Sequence, residues 1–410
     1  MTEFEQHIRA SACTREEIDH FLDHDKLSKW QFDPEVGYIL GNYLSREGID
    51  DSLTINTVQN NGRRNAVLYD DRPRRINTYG NSFTQCAQVS DQETWQEYLA
   101  AHIGEPIGNY GVGGFGVYQA YRRMLRAEVT GEGAEYLVLF IWGDDHHRSL
   151  FRCRRASYPR GTPNHLDRAG PANLTNFEGI FWAHLEMDME QGCIVEEEAL
   201  LQTPESLYNM TDPDFMYDAL KDDLMLQMSL FVRDYIQEID IESLRPLAEI
   251  LDLPPDAPYD ATQLRRWVEH LRNTYAFFAT RYIIQKALSF TQRQDKKLMI
   301  ALYDPRVTRQ LISDGERYDQ PIVDYLQDNQ ILHFDMNLIH ADDYKCFNLP
   351  LEDYMKRYHV GHYSPAGNHF FAHSIRHPIV EWLSPKPVTY RNDEAAMTDF
   401  LSYVPNAQQR

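Results

Sequence analysis

Ile76-Asn77-Thr78-Tyr79-Gly80-Asn81-Ser82-Phe83-Thr84 is a short apolar run that closes on glycine and delivers a serine at the head of a helix-like segment. The same rhythm returns twice. Ile107 to Val112 leads into Asn109-Tyr110-Gly111-Val112-Gly113-Gly114-Phe115-Gly116, and Tyr136 to Trp142 leads into Gly143-Asp144-Asp145-His146-His147-Arg148. Apolar runs of strand length that end in turns and alternate with helical segments predict a parallel sheet in an α/β sandwich. A Pro-, Gly- and Asn-containing loop from Tyr158 to Asn176 interrupts the pattern, and strand-like residues surround Phe177 to Glu186. From Pro213 to Phe290 apolar residues recur at helical spacing, as in Leu220, Leu224, Met228, Phe231 and Tyr235, with Pro254, Pro255 and Pro258 as breaks. The sheet rhythm resumes at Lys297 to Tyr303 and at Ile331 to Met336. A helix is then expected from Pro365, with Ser364 as its cap.

The expected organisation follows. Residues 1–72 form a partly helical N-terminal extension, in which Thr14 and Glu17 make a capping box ahead of a helix from Arg15 to Leu27. Residues 73–190 supply the first half of the α/β core and 295–410 the second half with a C-terminal tail. Residues 191–294 are a large, mainly helical insertion, placed to act as a lid or pocket wall. Trp267, Tyr275, Phe277 and Phe278 within it are expected to be core.

The chain has 410 residues, with 40 Lys and Arg against 62 Asp and Glu and a net charge of −22. Such a surface repels phosphate backbones and anionic bilayers, so neither nucleic acid nor a membrane is an expected partner. The start, Met1-Thr2-Glu3-Phe4-Glu5-Gln6-His7, is acidic where an export signal is basic and then apolar, which predicts a cytoplasmic protein. Apolar runs fall far short of the roughly 20 residues that span a bilayer. The five cysteines, Cys13, Cys86, Cys153, Cys193 and Cys346, are widely spaced without a C-x-x-C pair, which predicts free thiols.

Four stretches carry the chemistry. Ser82 follows a strand in a turn where helix amides gather, the alternative being that Ser82 or Thr84 merely caps the next helix. The glycine-rich loop around Gly114 lets backbone amides face a developing oxyanion, or is a plain tight turn, and it lacks the spacing of a dinucleotide loop. Asp144, Asp145, His146, His147 and Arg148 cluster ionisable groups at a strand end, either for function or as a structural ion-pair network. His359-Val360-Gly361-His362-Tyr363-Ser364-Pro365 sets His362 just before a helix, able to reach across the strand ends.

Taken in order, Gly80-Asn81-Ser82, Gly114, Gly143-Asp144-Asp145-His146, and His362 with Ser364-Pro365-Ala366-Gly367-Asn368 resemble the SGNH (GDSL-like) hydrolase superfamily. The resemblance covers residues 74–150 and 296–380. It implies a three-layer α/β/α sandwich with a parallel sheet, SGNH/flavodoxin-like, and a serine esterase or acyl hydrolase that needs neither cofactor nor metal. Ser82 would form an acyl-enzyme with His362 as base. The backbone N–H groups of Ser82 and Gly114 would hold the oxyanion, each worth roughly 3 kcal/mol. Asp145 falls at the place of a third donor, and Asn81, Asp144, His146, Arg148 and His359 are expected around a small acylated substrate, such as an acylated sugar or metabolite.

Three positions depart from the family pattern. Asn81 replaces an Asp that does not attack. Asp145 replaces an oxyanion-hole Asn, and a carboxylate repels an oxyanion unless it is protonated or turned away. His359 stands where the triad Asp belongs, leaving Asp335, Asp342, Asp353 or a Ser-His dyad as alternatives. The same residues admit an acyltransferase, a metal-dependent hydrolase built on Asp144 to His147 with His359 and His362, or a non-catalytic binding protein on a hydrolase scaffold.

Overall fold

Five of the apolar runs become strands of one parallel sheet: β1 (Ile76–Tyr79), β2 (Ile107–Asn109), β3 (Tyr136–Ile141), β4 (Lys297–Leu302) and β5 (His333–Asp335). The computed structural model describes residues 1–23, 27–158, 179–313 and 315–391, so the loop expected from Tyr158 to Asn176 lies, after Tyr158, outside the described residues. The strand order is β2-β1-β3-β4-β5, with Ile76 opposite both Ile107 and Tyr136, and Lys297 opposite Tyr136. The order reverses direction between β1 and β3, and at such a switch point a crevice opens beyond the carboxyl ends of the strands. Ser82 follows β1 and Asp144 follows β3, so both candidate motifs lie at the carboxyl ends of the two strands that flank the switch point.

All six residues of β3 are buried, which explains its unbroken apolar sequence. Its side chains divide with period two. Leu137, Leu139 and Ile141 join one core with Met124 of helix Val117–Glu128 and Ile283 and Ile284 of helix Ala261–Arg293. Tyr136, Val138 and Phe140 join a second core with Trp95 of helix Trp95–Ile103 and Phe371 and Ile375 of helix Pro365–Trp382. The fold is thus mixed α/β around a five-stranded parallel sheet.

The periodic stretch after Pro213 forms helices Pro213–Leu220, Leu224–Val232, Ile241–Ile250 and Ala261–Arg293, with Pro254, Pro255 and Pro258 in the gap before the last. That 33-residue helix buries Tyr275 and Phe277, leaves Trp267 partly buried and exposes Phe278. The span expected to be mainly helical also holds strand Cys193–Glu197, which pairs with His184–Asp188.

The first 72 residues are more than an appendage. Helix Arg15–Phe21 has the Thr14–Glu17 capping box but ends at Phe21, short of Leu27. Two antiparallel hairpins follow, pairing Trp30–Asp33 with Gly37–Leu40 and Tyr43–Ser45 with Thr54–Asn56. Ile8, Trp30 and Tyr38 share the core of Leu137 and Leu139, and Arg64 bridges to Asn109 at the free edge of β2. Among the described residues no helix is long and apolar enough to cross a membrane, and the five cysteines form no disulfide.

Candidate active site

Gly80 makes the turn after β1 so tight that no side chain fits there. A Cβ would stand 2.3 Å from Thr84 Oγ1 and 2.8 Å from the Phe140 carbonyl oxygen, at φ +156. This close approach to β3 swings the chain into the short helix Ser82–Gln85. Asn81, fully buried, caps that helix by accepting the Phe83 N–H at 2.7 Å, which leaves Ser82 as the half-buried first residue facing outward.

The imidazole that meets Ser82 comes from the far end of the chain. Ser364 caps helix Pro365–Trp382 by accepting the Gly367 N–H, and Gly361, at φ +111, bends the preceding loop. His362 in that loop places Nε2 2.8 Å from Ser82 Oγ across 280 residues of sequence. Its Nδ1 lies 2.9 Å from Gln88 Oε1. Which tautomer the ring holds depends on which end of the Gln88 amide is oxygen, and three further bonds decide that. Gln88 Oε1 also accepts the His362 backbone N–H at 2.7 Å, and Gln88 Nε2 donates to the carbonyls of Glu47 (3.0 Å) and Val360 (2.9 Å). An amide oxygen only accepts, so Nδ1 carries the proton and the Nε2 lone pair faces the serine hydroxyl.

Gln88 itself is held firmly. It sits at φ +72 in a turn pinned by Arg64, whose guanidinium donates to the carbonyls of Gln85, Cys86 and Val89 at 2.7–2.9 Å and pairs with Asp91 at 2.8 Å. The partner of His362 Nδ1 is thus a neutral carboxamide where a carboxylate was expected, and His359, Asp335, Asp342 and Asp353 have other partners. His359 joins Tyr303 Oη and the Met355 carbonyl, and burial pushes it down to about 4. Asp335 caps helix Met336–Tyr344 and pairs with Arg317, while Asp342 and Asp353 pair with Lys345 and Lys356 on exposed helix faces. Gln88 carries no sequence signal that separates it from the other glutamines, because its contact with His362 spans 274 residues.

The glycine loop shows which amides are left for an oxyanion. Gly111 N–H bonds Asn109 Oδ1, Val112 bonds the Gly80 carbonyl, Gly113 bonds Gln85 Oε1, Phe115 bonds the Val112 carbonyl and Gly116 bonds Gln119 Oε1. The Gly114 amide between them has no acceptor among the described residues. The same holds for Ser82, while Phe83, Thr84 and Gln85 all donate to Asn81. Gly114 needs its missing side chain: at φ +83 a Cβ would fall 1.8 Å from Arg154 Nη1.

Asp145, expected at the place of a third oxyanion donor unless turned away, faces inward. Its buried carboxyl group accepts from Asn81 Nδ2, from the Trp142 N–H at 2.9 Å and from Arg148 Nη1 at 3.0 Å, so it is turned into the protein and ties β3 to the Ser82 turn. Burial pushes this carboxyl up to about 7. Asn81, His146 and His359, expected around a substrate, each have partners within the protein. His146 Nδ1 meets Thr280 Oγ1 at 2.8 Å, and burial lowers that imidazole to about 3. His147 Nε2 meets Asn273 Oδ1 at 2.8 Å. These rings point at separate partners on helix Ala261–Arg293, and among the described residues no group of three or more His, Cys, Asp or Glu side chains is arranged to hold a metal ion. Asp144 lies among arginines: Arg306 at 3.1 Å, Arg233 at 3.6 Å and Arg148 at 3.9 Å.

No protein-family model matches the chain, and a search of curated proteins finds no significant match.

Proposed function

We propose that the chain is a serine esterase or acyl hydrolase of the SGNH kind, built on a three-layer α/β/α sandwich. The observation that carries this reading is the Ser82 Oγ to His362 Nε2 distance of 2.8 Å, with His362 Nδ1–H held by Gln88. In the first step Ser82 Oγ attacks the carbonyl carbon of the substrate while His362 Nε2 takes its proton. The carbonyl oxygen gathers negative charge between the amides of Ser82 and Gly114, each worth roughly 3 kcal/mol in the transition state. His362 then gives the proton to the departing alcohol. Water, activated by the same imidazole, attacks the acyl-enzyme and releases the acid.

Gln88 fixes the tautomer and orientation of His362 without adding the negative charge that a carboxylate lends to the imidazolium. Transfer of the acyl group to a second alcohol uses the same steps once water is excluded. The enzyme is proposed to work in the cytoplasm on a small acylated molecule. Assaying acetyl and longer acyl esters with wild type and Ser82→Ala tests the reading: turnover is expected in the first and absent in the second. Equal turnover by both proteins, or none by folded wild type on any ester, defeats it.

A further inference from the structure

His362 stands near the tip of a small hairpin whose two legs are tied down. The Tyr358 carbonyl accepts the Ser364 N–H at 2.8 Å, His359 bridges Tyr363, and the His362 carbonyl accepts the Val360 N–H at 2.8 Å. Each leg also makes a side-chain bond to the body of the protein. On the first, His359 Nδ1 meets the Met355 carbonyl at 2.9 Å and its Nε2 meets Tyr303 Oη. A carbonyl only accepts, so Nδ1 carries the proton and the Tyr303 hydroxyl donates to Nε2. On the second, Tyr363 Oη meets His340 Nε2 at 2.8 Å. Tyr303 directly follows β4, and His340 lies on helix Met336–Tyr344, which directly follows β5. Two neighbouring strands of the sheet thus each send one side chain to one leg of the hairpin.

The rings interlock as well. Tyr303 and His359 both stack on Tyr363, with centroids at 4.7 and 4.9 Å. Phe83, the residue after Ser82, meets Tyr303, Tyr363 and His362 at 5.3, 5.4 and 5.0 Å. One aromatic block therefore touches the turn of the nucleophile and carries the imidazole. Tyr303, His340 and Tyr363 are each at most 2% exposed. Apolar side chains would fill this space without taking polar atoms out of water. What the hydroxyl and imidazole bonds add is a single orientation for each ring. Burial lowers the His340 imidazole, holds His359 at about 4, and raises the Tyr303 and Tyr363 phenols, so all four are neutral near pH 7.

We propose that Tyr303 and His340 are positioning residues for His362: acting through His359 and Tyr363, they fix both legs of the hairpin and so hold Nε2 at 2.8 Å from Ser82 Oγ. The proposal rests on the serine-hydrolase reading for its catalytic consequence, while the hold on the imidazole is a matter of geometry alone. The task differs from that of Gln88, which sets the tautomer and turn of the ring; Tyr303 and His340 set where the ring stands. A displacement of about 1 Å between reacting groups costs up to ~100-fold in rate.

Tyr303→Phe and Tyr363→Phe keep every ring and delete one hydroxyl each. The first strips His359 Nε2 of its donor and the second strips His340 Nε2 of its partner. Each variant, shown to be folded by its melting curve, is expected to react with a fluorophosphonate at Ser82 ~10- to 100-fold more slowly than wild type and to lose kcat with little change in KM. Either variant alone carries the test if the other does not fold. Tyr118→Phe is the control: its hydroxyl is bonded to Glu196 at 2.9 Å and Arg122 at 2.8 Å and takes no part in the hairpin. It is expected to melt lower while Ser82 keeps its wild-type rate. Crystal structures of the two hairpin variants give a readout that needs no catalysis. His362 Nε2 is expected to leave hydrogen-bond range of Ser82 Oγ or to occupy more than one position. Wild-type rates in the folded variants overturn the positioning role and leave the hydrolase. Slower reaction with His362 unmoved, or an equal slowing by Tyr118→Phe, overturns the positioning role as well. A displaced His362 in the variants of a protein whose wild type neither labels at Ser82 nor turns over any ester overturns the hydrolase and leaves the hold on the ring.

Discussion

Replacing Gln88 with leucine keeps most of its volume and removes its hydrogen bonds, so it isolates what the carboxamide does for His362. Two donors lose their acceptor: His362 Nδ1–H at 2.9 Å and its backbone N–H at 2.7 Å. The carbonyls of Glu47 and Val360 lose a donor as well. An unsatisfied group in a half-buried site costs about 1–3 kcal/mol. If the imidazole loss falls on the transition state, where the ring becomes charged, the rate drops by ~10- to 100-fold at 1.4 kcal/mol per decade. The assay is the second-order rate at which a fluorophosphonate modifies Ser82, alongside kcat and KM on an ester and the melting temperature. Slower modification, lower kcat and little change in KM are expected. Gln88→Glu puts one carboxylate oxygen back on His362 but turns the other toward two carbonyls, so it should modify Ser82 faster than Gln88→Leu while melting lower than wild type. A folded Gln88→Leu protein that reacts at the wild-type rate would refute the claim that Gln88 orients the base.

Other perturbations have equally definite outcomes. Gly114→Ala places a methyl group against Arg154 at a positive φ, so it should lower stability by about 1–3 kcal/mol in denaturant melts and displace the amide enough to slow Ser82 modification ~100-fold or more. Arg64→Met strips Asp91 and three carbonyls of their buried partner and should cost roughly 3–5 kcal/mol of unfolding free energy. The Asp145 carboxyl is held protonated by the folded state up to about pH 7 but ionises near its ordinary value when unfolded. The folded state therefore binds the extra proton between about pH 4 and 7, and this group's contribution to stability falls as pH rises through that window. Denaturant melts of wild type against Asp145→Asn should show the wild-type advantage shrinking from pH 5 to pH 8. A constant difference contradicts the assignment.

The sheet was legible because its two central strands, β3 and β4, are compact, mostly apolar runs ending in turns, and β3 is buried along its whole length. Ser82 and His362 were legible through the order of short motifs around Gly80, Gly114 and Pro365. What escaped was set by contacts distant in sequence. Nothing beside Gln88 announces that it will meet a histidine 274 residues away. Asp145 was recognised as a carboxylate at a strand end, but the direction it faces depends on Asn81 and Arg148. His359 sits at the spacing of a triad acid, yet its ring is claimed by Tyr303 and Met355. The hairpins within the first 72 residues have strands of three or four residues, too short to show a period, and they fold against a core assembled from the rest of the chain.

The central claim is that Ser82 is an activated nucleophile, and covalent trapping tests it most directly. Folded protein treated with a fluorophosphonate and mapped by peptide mass spectrometry should carry one adduct, on Ser82. Ser82→Ala should lose it, and His362→Ala should form it at least ~1,000-fold more slowly. An unmodified Ser82 in folded protein, or an adduct whose rate ignores His362, contradicts the account.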